Sequence, residues 1–214
     1  MVNRDLSDLR EDYRFSELLE KTLENNPFKQ FEIWFNDAVN SSIYEPNAMT
    51  ISTISKTLKP SSRVVLLKEF TTDGFVFFTN YLSNKAKDIE NNNNVALNFF
   101  WAELQRQIRI EGSISKISKA KSEEYFKSRP RESQLGAITS IQSSIIKNRD
   151  EIETKYKEIE SLYEGKEIEM PEHWGGYIVK PERFEFWQGR TSRLHDRIQF
   201  ELINDSWIIS RLSP

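Results

Sequence analysis

Between residues 48 and 114 the chain has the periodicity of strands, and the gaps leave almost no room for helices. The runs Ala48 to Ile54, Arg63 to Lys68, Phe75 to Thr79, Val95 to Phe100 and Gln107 to Ile114 read as strands. One short helix fits between them, capped by Ser83, running through Ile89 and ended by the run Asn91 to Asn94. Parallel strands need crossovers of a dozen or more residues, usually helical. Consecutive antiparallel strands forming a small barrel are therefore expected in place of a βαβ sheet. The turn Thr71-Thr-Asp-Gly74 predicts a hairpin joining Arg63–Lys68 to Phe75–Thr79. In Gln107 to Ile114, Ile108, Ile110 and Ile114 face one way while Gln107, Arg109 and Glu111 face the other.

Helices are expected to flank this sheet. Pro27 suits a first helical turn, and Phe28, Phe31, Trp34, Phe35 and Ala38 then fall on one face. Residues 1–26 are polar and mixed in charge, with an amphipathic piece around Phe15, Leu18, Leu19 and Leu23, and read as a partly helical arm on a single domain of residues 27–214. Ser118 caps a helix that carries Tyr125 and Phe126 and stops before Arg129-Pro-Arg131. A longer polar helix is expected from about Ser144 to Tyr163, with Ile145, Ile152, Tyr156, Ile159 and Tyr163 on its buried side. Gly165 and Pro171 lead to three strands, near Gly176 to Val179, Phe184 to Trp187 and Ile198 to Leu202, with Trp207 to Leu212 closing the sheet.

A chain of 214 residues, 37% hydrophobic, can bury a core. Its net charge of -3 disfavours a dedicated nucleic-acid binder, so cationic clusters within it suit a small anionic ligand. With no cysteine there are no disulfides or thiolate metal sites, and two histidines make a histidine metal centre unattractive. Met1 to Arg10 lacks the apolar core of a signal peptide, and no apolar run is long enough to span a membrane, so a cytoplasmic protein is expected.

The candidate chemistry is cationic. Arg63 and Lys68 bracket a short apolar strand; five residues apart, they point to opposite faces of an ideal strand, and either mark its solvated ends or aim a charge at a ligand. Lys85 near a helix start opposes the macrodipole, a placement better tolerated with a bound phosphate, or else it is an exposed lysine. Gln107 offers a donor and an acceptor to a heterocycle edge, or simply belongs to an exposed strand face; Gln142-Ser143-Ser144 reads as a cap for the long helix. In Tyr125-Phe-Lys-Ser-Arg-Pro-Arg-Glu-Ser133, the guanidiniums of Arg129 and Arg131 and the Ser133 hydroxyl can converge on one phosphate, or Arg131 is the solvent-facing member of the pair. From Trp187 to Arg197, Arg190, Arg193 and Arg197 surround His195; Asp196 can neutralise one, and the surplus calls for an anionic ligand or carboxylates of a partner chain. There is no phosphate loop, dinucleotide fingerprint or hydrolase triad.

Taken in order, Arg63-Val-Val-Leu-Leu-Lys68, Gln105-Arg-Gln-Ile-Arg-Ile-Glu-Gly112, Tyr125 to Arg131, Trp174-Gly-Gly176 and Trp187 to Arg197 make the whole chain resemble the pyridoxamine 5′-phosphate oxidases. The resemblance implies a mainly β fold with helices, the FMN-binding split β-barrel, and a homodimer with sites at the subunit interface. It implies FMN held by Arg63, Lys68, Phe78, Thr79, Asn84, Lys85, Gln107, Gln142, Ser143, Trp187 and Arg197. Substrate is expected to meet Lys68, Tyr125, Arg129, Ser133, Arg193 and His195, with Arg10 and Tyr13 closing over it and Arg193 and His195 as the catalytic pair. The implied reaction oxidises the phosphorylated B6 vitamers, pyridoxamine and pyridoxine 5′-phosphate, to pyridoxal 5′-phosphate by hydride transfer to FMN, with dioxygen returning the flavin to its oxidised form. No nucleic-acid or membrane partner is implied.

Three positions depart from the family pattern: Asn84 stands where an arginine is usual, Ile138 replaces a tryptophan, and Arg190-Thr-Ser192 replaces a glycine-rich form. Asn84 implies weaker flavin retention, while Ile138 and Arg190 leave open a flavin oxidase acting on another heterocycle; a flavin-binding storage or regulatory protein without turnover is the other alternative, against which the grouped substrate-side residues argue.

Overall fold

The computed structural model describes Tyr13 and residues 16–214; Arg10 and Phe15 lie outside the described residues. The elements are α1 (Pro27–Val39), β1 (Ala48–Ile54), β2 (Pro60–Leu66), β3 (Glu69–Thr71), β4 (Gly74–Asn80), α2 (Asn84–Asn91), β5 (Asn94–Trp101), β6 (Arg106–Lys116), α3 (Lys119–Ser128), α4 (Arg131–Thr139), α5 (Arg149–Leu162), β7 (Trp174–Gln188), β8 (Asp196–Ile203) and β9 (Ser206–Leu212). Before α1 the described residues form one 3-10 turn, Glu20–Thr22. The strands hydrogen-bond in the order β2-β1-β5-β6-β7-β4-β3, with β8 on β7 and β9 on β8. No helix among the described residues is long and apolar enough to cross a membrane.

Two compact units interleave along the chain. The first takes the described residues up to Asn47 with Asn98–Ile110 and Glu182–Pro214; the second takes Ala48–Leu97 and Glu111–Pro181. In the first, the stripe predicted on α1 is its core face. Asn26 caps the helix by accepting from the Phe28 N–H at 2.9 Å, with Pro27 in the first turn where its missing donor costs nothing. Phe31 packs edge-on to Phe99 at 5.2 Å and Trp34 edge-on to Phe186 at 5.4 Å. Phe31 is fully buried, and truncating such a side chain to alanine costs about 3–5 kcal/mol.

In the second unit the hairpin forms with a different partner. β2 pairs with β1, Arg63 opposite Ile51, while β4 turns back on β3, Phe70 opposite Phe75. The run Arg63–Lys68 therefore ends as a strand at Leu66, and Lys68 lies beyond the break, its N–H donating to the Val76 carbonyl at 2.9 Å. The rule that residues five apart face oppositely holds only inside an unbroken strand. Here Arg63 and Lys68 line one cleft.

Three further expectations are corrected. The strands predicted near Gly176–Val179 and Phe184–Trp187 are one 15-residue strand, β7, which carries Pro181 inside it. β4 pairs with residues 174–179 and β8 with residues 183–188, so the proline falls between the two pairing segments, where that edge needs no N–H. Gly112 of β6 lets that strand approach closely, since a Cβ there would lie 2.1 Å from the Lys180 carbonyl oxygen. The long polar helix starts at Arg149, capped by Asn148, whose side chain accepts from the Glu151 N–H, and Ile145 is outside it and fully exposed. Finally, the sequence reading missed α4, which follows α3 after Pro130 and packs Leu135 against Phe126, Ile168 and Trp174.

Candidate active site

The second unit holds a cleft of about 840 Å³ whose walls include Arg63, Lys68, Lys85 and Arg129, and none of its lining residues is acidic. The one carboxylate paired with any of the four is Asp88, 3.9 Å from Arg63, which leaves most of their charge uncompensated among the described residues. The cleft is where β2, β4, the first turn of α2, the end of α3 and the start of α4 come together.

Lys85 is the most buried of the four, with 7% of its surface exposed. Its Nζ donates to Gln142 Oε1 at 2.7 Å, Thr79 Oγ1 at 3.0 Å and Ser83 Oγ at 3.3 Å, all neutral acceptors. Burial, then the charge of Arg63, lowers its pKa to about 8. As Ser83 is the N-cap of α2, the ammonium also sits at the positive end of a helix, an arrangement that an anion stabilises. Arg63 is likewise held by neutral oxygens, Thr53 Oγ1 and Ser61 Oγ both at 2.8 Å, with Asp88 more distant at 3.9 Å; burial lowers its pKa.

Gln142, read in sequence as part of a helix cap, instead closes this cluster, and Thr79 Oγ1 donates to its Oε1 at 3.2 Å. Ser143 takes a positive φ of 72° and accepts from the Asn84 N–H at 3.3 Å, so both residues turn toward the start of α2 and away from α5.

The other half of the cleft is aromatic. Phe78, Tyr125 and Trp174 lie nearly parallel, with Phe78 3.9 Å from Tyr125 and 5.3 Å from Trp174 between ring centres. Gly176 faces Phe78 across the β4–β7 ladder, and a Cβ there would come within 2.9 Å of the Phe78 ring. The Arg129 guanidinium stacks on Trp174 at 4.7 Å, and its Nη1 is buried without a hydrogen-bond partner among the described residues. Such an orphaned charged donor costs about 1–3 kcal/mol or more and is satisfied by an oxyanion entering the cleft. Ser133, in the first turn of α4, lines the same space.

The remaining described candidates belong to the first unit. Trp187, half-buried at the end of β7, lies 4.7 Å from His195 between ring centres, and Tyr13 meets both edge-on at 5.8 and 5.6 Å. His195 Nδ1 accepts from the Arg190 N–H at 3.1 Å, which places the proton of the neutral ring on Nε2. Burial, then Arg193, lowers its pKa, so the neutral form prevails at pH 7. Arg193 is exposed and takes a positive φ of 59° after Ser192 at 57°. Asp196 pairs with Arg190 at 3.4 Å and with Arg211 at 2.8 Å. Arg197 pairs with Glu185 at 2.8 Å, a carboxylate that sequence reading passed over although its spacing from Trp187 puts both on one strand face. Gln107 lies on the half-buried face of β6, opposite Ile108 and Ile110, as the alternation predicts.

The second unit's cleft thus fits a phosphorylated planar ligand by charge, volume and aromatic walls. Residues 35–163 match the family description "Pyridoxamine 5′-phosphate oxidase", and residues 174–214 match "Pyridoxine 5′-phosphate oxidase C-terminal dimerisation region". A pyridoxine/pyridoxamine 5′-phosphate oxidase of Leptospira biflexa is 57% identical over 210 residues, covering 98% of this chain and 99% of the relative. One from Trichormus variabilis is 50% identical over 214 residues, the full length of both. In fold, the chain is similar to PhzG from Burkholderia lata, solved with tetrahydrophenazine-1-carboxylic acid, with TM-score 0.86, 23% identity and coverage of 92% of this chain and 98% of that one. A pyridoxamine 5′-phosphate oxidase-related FMN-binding protein from Nostoc punctiforme gives TM-score 0.71 at 15% identity, covering 88% and 98%. The fold is the FMN-binding split barrel with flanking helices, the class that the resemblance implied. Within that class, the chain belongs to the pyridoxamine 5′-phosphate oxidase family.

Proposed function

We infer that this chain is an FMN-dependent oxidase that converts pyridoxamine 5′-phosphate and pyridoxine 5′-phosphate to pyridoxal 5′-phosphate. The observation that carries the reading is the cleft lined by four cations and no acid, one of the cations holding a buried donor without a partner among the described residues, in a chain 57% identical to an oxidase of that name. The amine reaction consumes dioxygen and water and yields hydrogen peroxide and ammonia; the alcohol reaction consumes dioxygen and yields peroxide alone. FMN, when bound, supplies the two-electron chemistry, accepting hydride from C4′ and passing the electrons to dioxygen.

The protein contributes binding, orientation and charge. Lys85, Arg63, Thr79, Asn84, Gln142 and Ser143 form the part of the FMN site around the first turn of α2, with Lys68 and Phe78 beside it, and the family resemblance assigns Gln107, Trp187 and Arg197 to FMN as well. Arg129, Tyr125, Ser133 and Lys68 clamp the substrate phosphate, where Arg129 offers geometry as well as charge. His195, neutral with its proton on Nε2, donates to a polar substituent of the substrate ring, and Arg193 steadies the ring from the same loop. Arg10 and Tyr13 close over the bound substrate. Transfer of hydride from an already neutral amine requires no protein base, so His195 acts in this scheme by orienting. The working form is a homodimer, in keeping with the C-terminal match to a dimerisation region, with each site drawing residues from both chains.

The test is aerobic turnover of the purified flavoprotein. Pyridoxamine 5′-phosphate should give aldehyde, peroxide and ammonia in equal amounts; no aldehyde from either phosphorylated vitamer rejects the reading. Asn84 adds a graded prediction. It stands exposed at the first position of α2, where an arginine would bring a further cation to the FMN phosphate. Asn84→Arg should lower the FMN Kd about tenfold, the worth of one charge-assisted hydrogen bond; an unchanged Kd would show that this position does not reach the phosphate.

A further inference from the structure

Glu185 is a buried carboxylate, 4% exposed, to which the scheme above gives no part. It lies in β7 two residues before Trp187, so the two side chains share a strand face. Trp187 is directly opposite Arg197 in β8, which brings Arg197 to that face, and Arg109 reaches it from β6. Arg197 Nε donates to Glu185 Oε1 at 2.8 Å, and Arg109 Nη1 lies 3.1 Å from Oε2. One carboxylate therefore joins three adjacent strands at the residues flanking Trp187.

Two guanidiniums bind the two oxygens of one carboxylate. Arg197 is further fixed by its Nη1, which donates to the Ser213 carbonyl at 2.7 Å. With Nε and Nη1 committed, Nη2 makes no hydrogen bond among the described residues, and the side chain is 27% exposed. A guanidinium anchored on two nitrogens with the third left over presents that donor in a fixed direction at little further entropic cost.

We propose that Glu185 is a positioning residue for FMN: it orients Arg197 so that Nη2 faces the flavin, while Arg109 holds the second oxygen of Glu185 in place. The inference rests on the proposed function, which assigns Arg197 to the cofactor. The hydrogen bond to Glu185 also holds the Arg197 pKa above its ordinary value, so the guanidinium stays charged throughout the working range. A purely structural Glu185 would stabilise the sheet without affecting what Arg197 binds.

The experiment titrates FMN into apoprotein and follows quenching of flavin fluorescence for the wild type, Glu185→Gln, Arg197→Gln and the double variant. Glu185→Gln should raise the Kd roughly ten- to a hundredfold, the usual loss when a partner that orients a ligating group is removed. The double variant should bind no more weakly than Arg197→Gln alone, because Glu185 acts through Arg197. A wild-type Kd in Glu185→Gln, or losses that add in the double variant, overturns the proposal. If Glu185→Gln does not fold, Glu185→Gln with Arg109→Gln removes the buried imbalance and should show the same loss; wild-type affinity there is equally fatal. Wild-type protein that binds no FMN overturns the functional reading itself, an outcome distinct from a wild type that binds while Glu185→Gln binds equally well.

Discussion

Replacing Arg129 with methionine should raise the KM for pyridoxamine 5′-phosphate by about a hundred- to a thousandfold, with kcat nearly unchanged, and should leave the ligand-free protein more stable. The first effect follows from losing a desolvated guanidinium that meets a phosphate, a truncation that typically costs about 2–5 kcal/mol. The phosphate is remote from C4′ and is held equally in the ground and transition states, so the loss falls on KM. The second effect has the opposite sign because Arg129 has a buried Nη1 without a partner among the described residues. Methionine removes that desolvated donor and still packs on Trp174 and Phe126, at the expense of the cation–π contacts at 4.7 and 5.7 Å. The balance is a gain of about 1 kcal/mol, read from the urea midpoint of apoprotein. A variant with unchanged KM, or one that is less stable and also turns over more slowly at saturating substrate, would show that Arg129 serves the fold and not the ligand.

Lys85→Met should raise the FMN Kd about a hundredfold at pH 7, on the order of the 1.5–3 kcal/mol of a hydrogen bond to a charged group. It should also remove a pH dependence. The Lys85 pKa is lowered to about 8 by burial, and then by Arg63. An FMN phosphate beside Nζ favours the charged form and raises that pKa, so binding takes up a proton above pH 8. Wild-type FMN affinity should hold steady from pH 7 to about 8 and then fall toward pH 9.5, while Lys85→Met should be flat over the same range. The linkage for apoprotein runs the other way. The folded-state pKa lies below the unfolded one, so the cost of a charged buried Lys85 is fully present below pH 8 and is relieved between about 8 and 10.5. Apoprotein stability should therefore gain from Lys85 deprotonation over that window, and Lys85→Met should lack the gain. Equal pH slopes for the two proteins would place the phosphate elsewhere.

Much of the fold was legible because local signals agreed with the packing. The α1 stripe, the Ser83 and Ser118 caps and the alternation of β6 each lie where spacing put them. Errors arose where a local rule was broken by pairing farther along the chain. A strand break at Leu67 and Lys68 turned Arg63 and Lys68 toward one cleft, and Pro181 lies inside a strand because its neighbours change partner there. Site legibility followed the same division. Arg129 with Ser133 and the burial of Lys85 were open alternatives in the residues alone, and the ordered motifs of the resemblance pointed to them. The role of Gln142 as an acceptor for Lys85 depends on contact across 57 residues. Glu185 could have been found from its two-residue spacing to Trp187, had a carboxylate been sought among so many cations.

Anaerobic mixing of the yellow holoprotein with pyridoxamine 5′-phosphate tests the central claim most directly. Oxidised-flavin absorbance should bleach in a single turnover, and admitting air should restore it with release of peroxide and pyridoxal 5′-phosphate. A flavin spectrum that stays unchanged with saturating pyridoxamine and pyridoxine 5′-phosphates would contradict it.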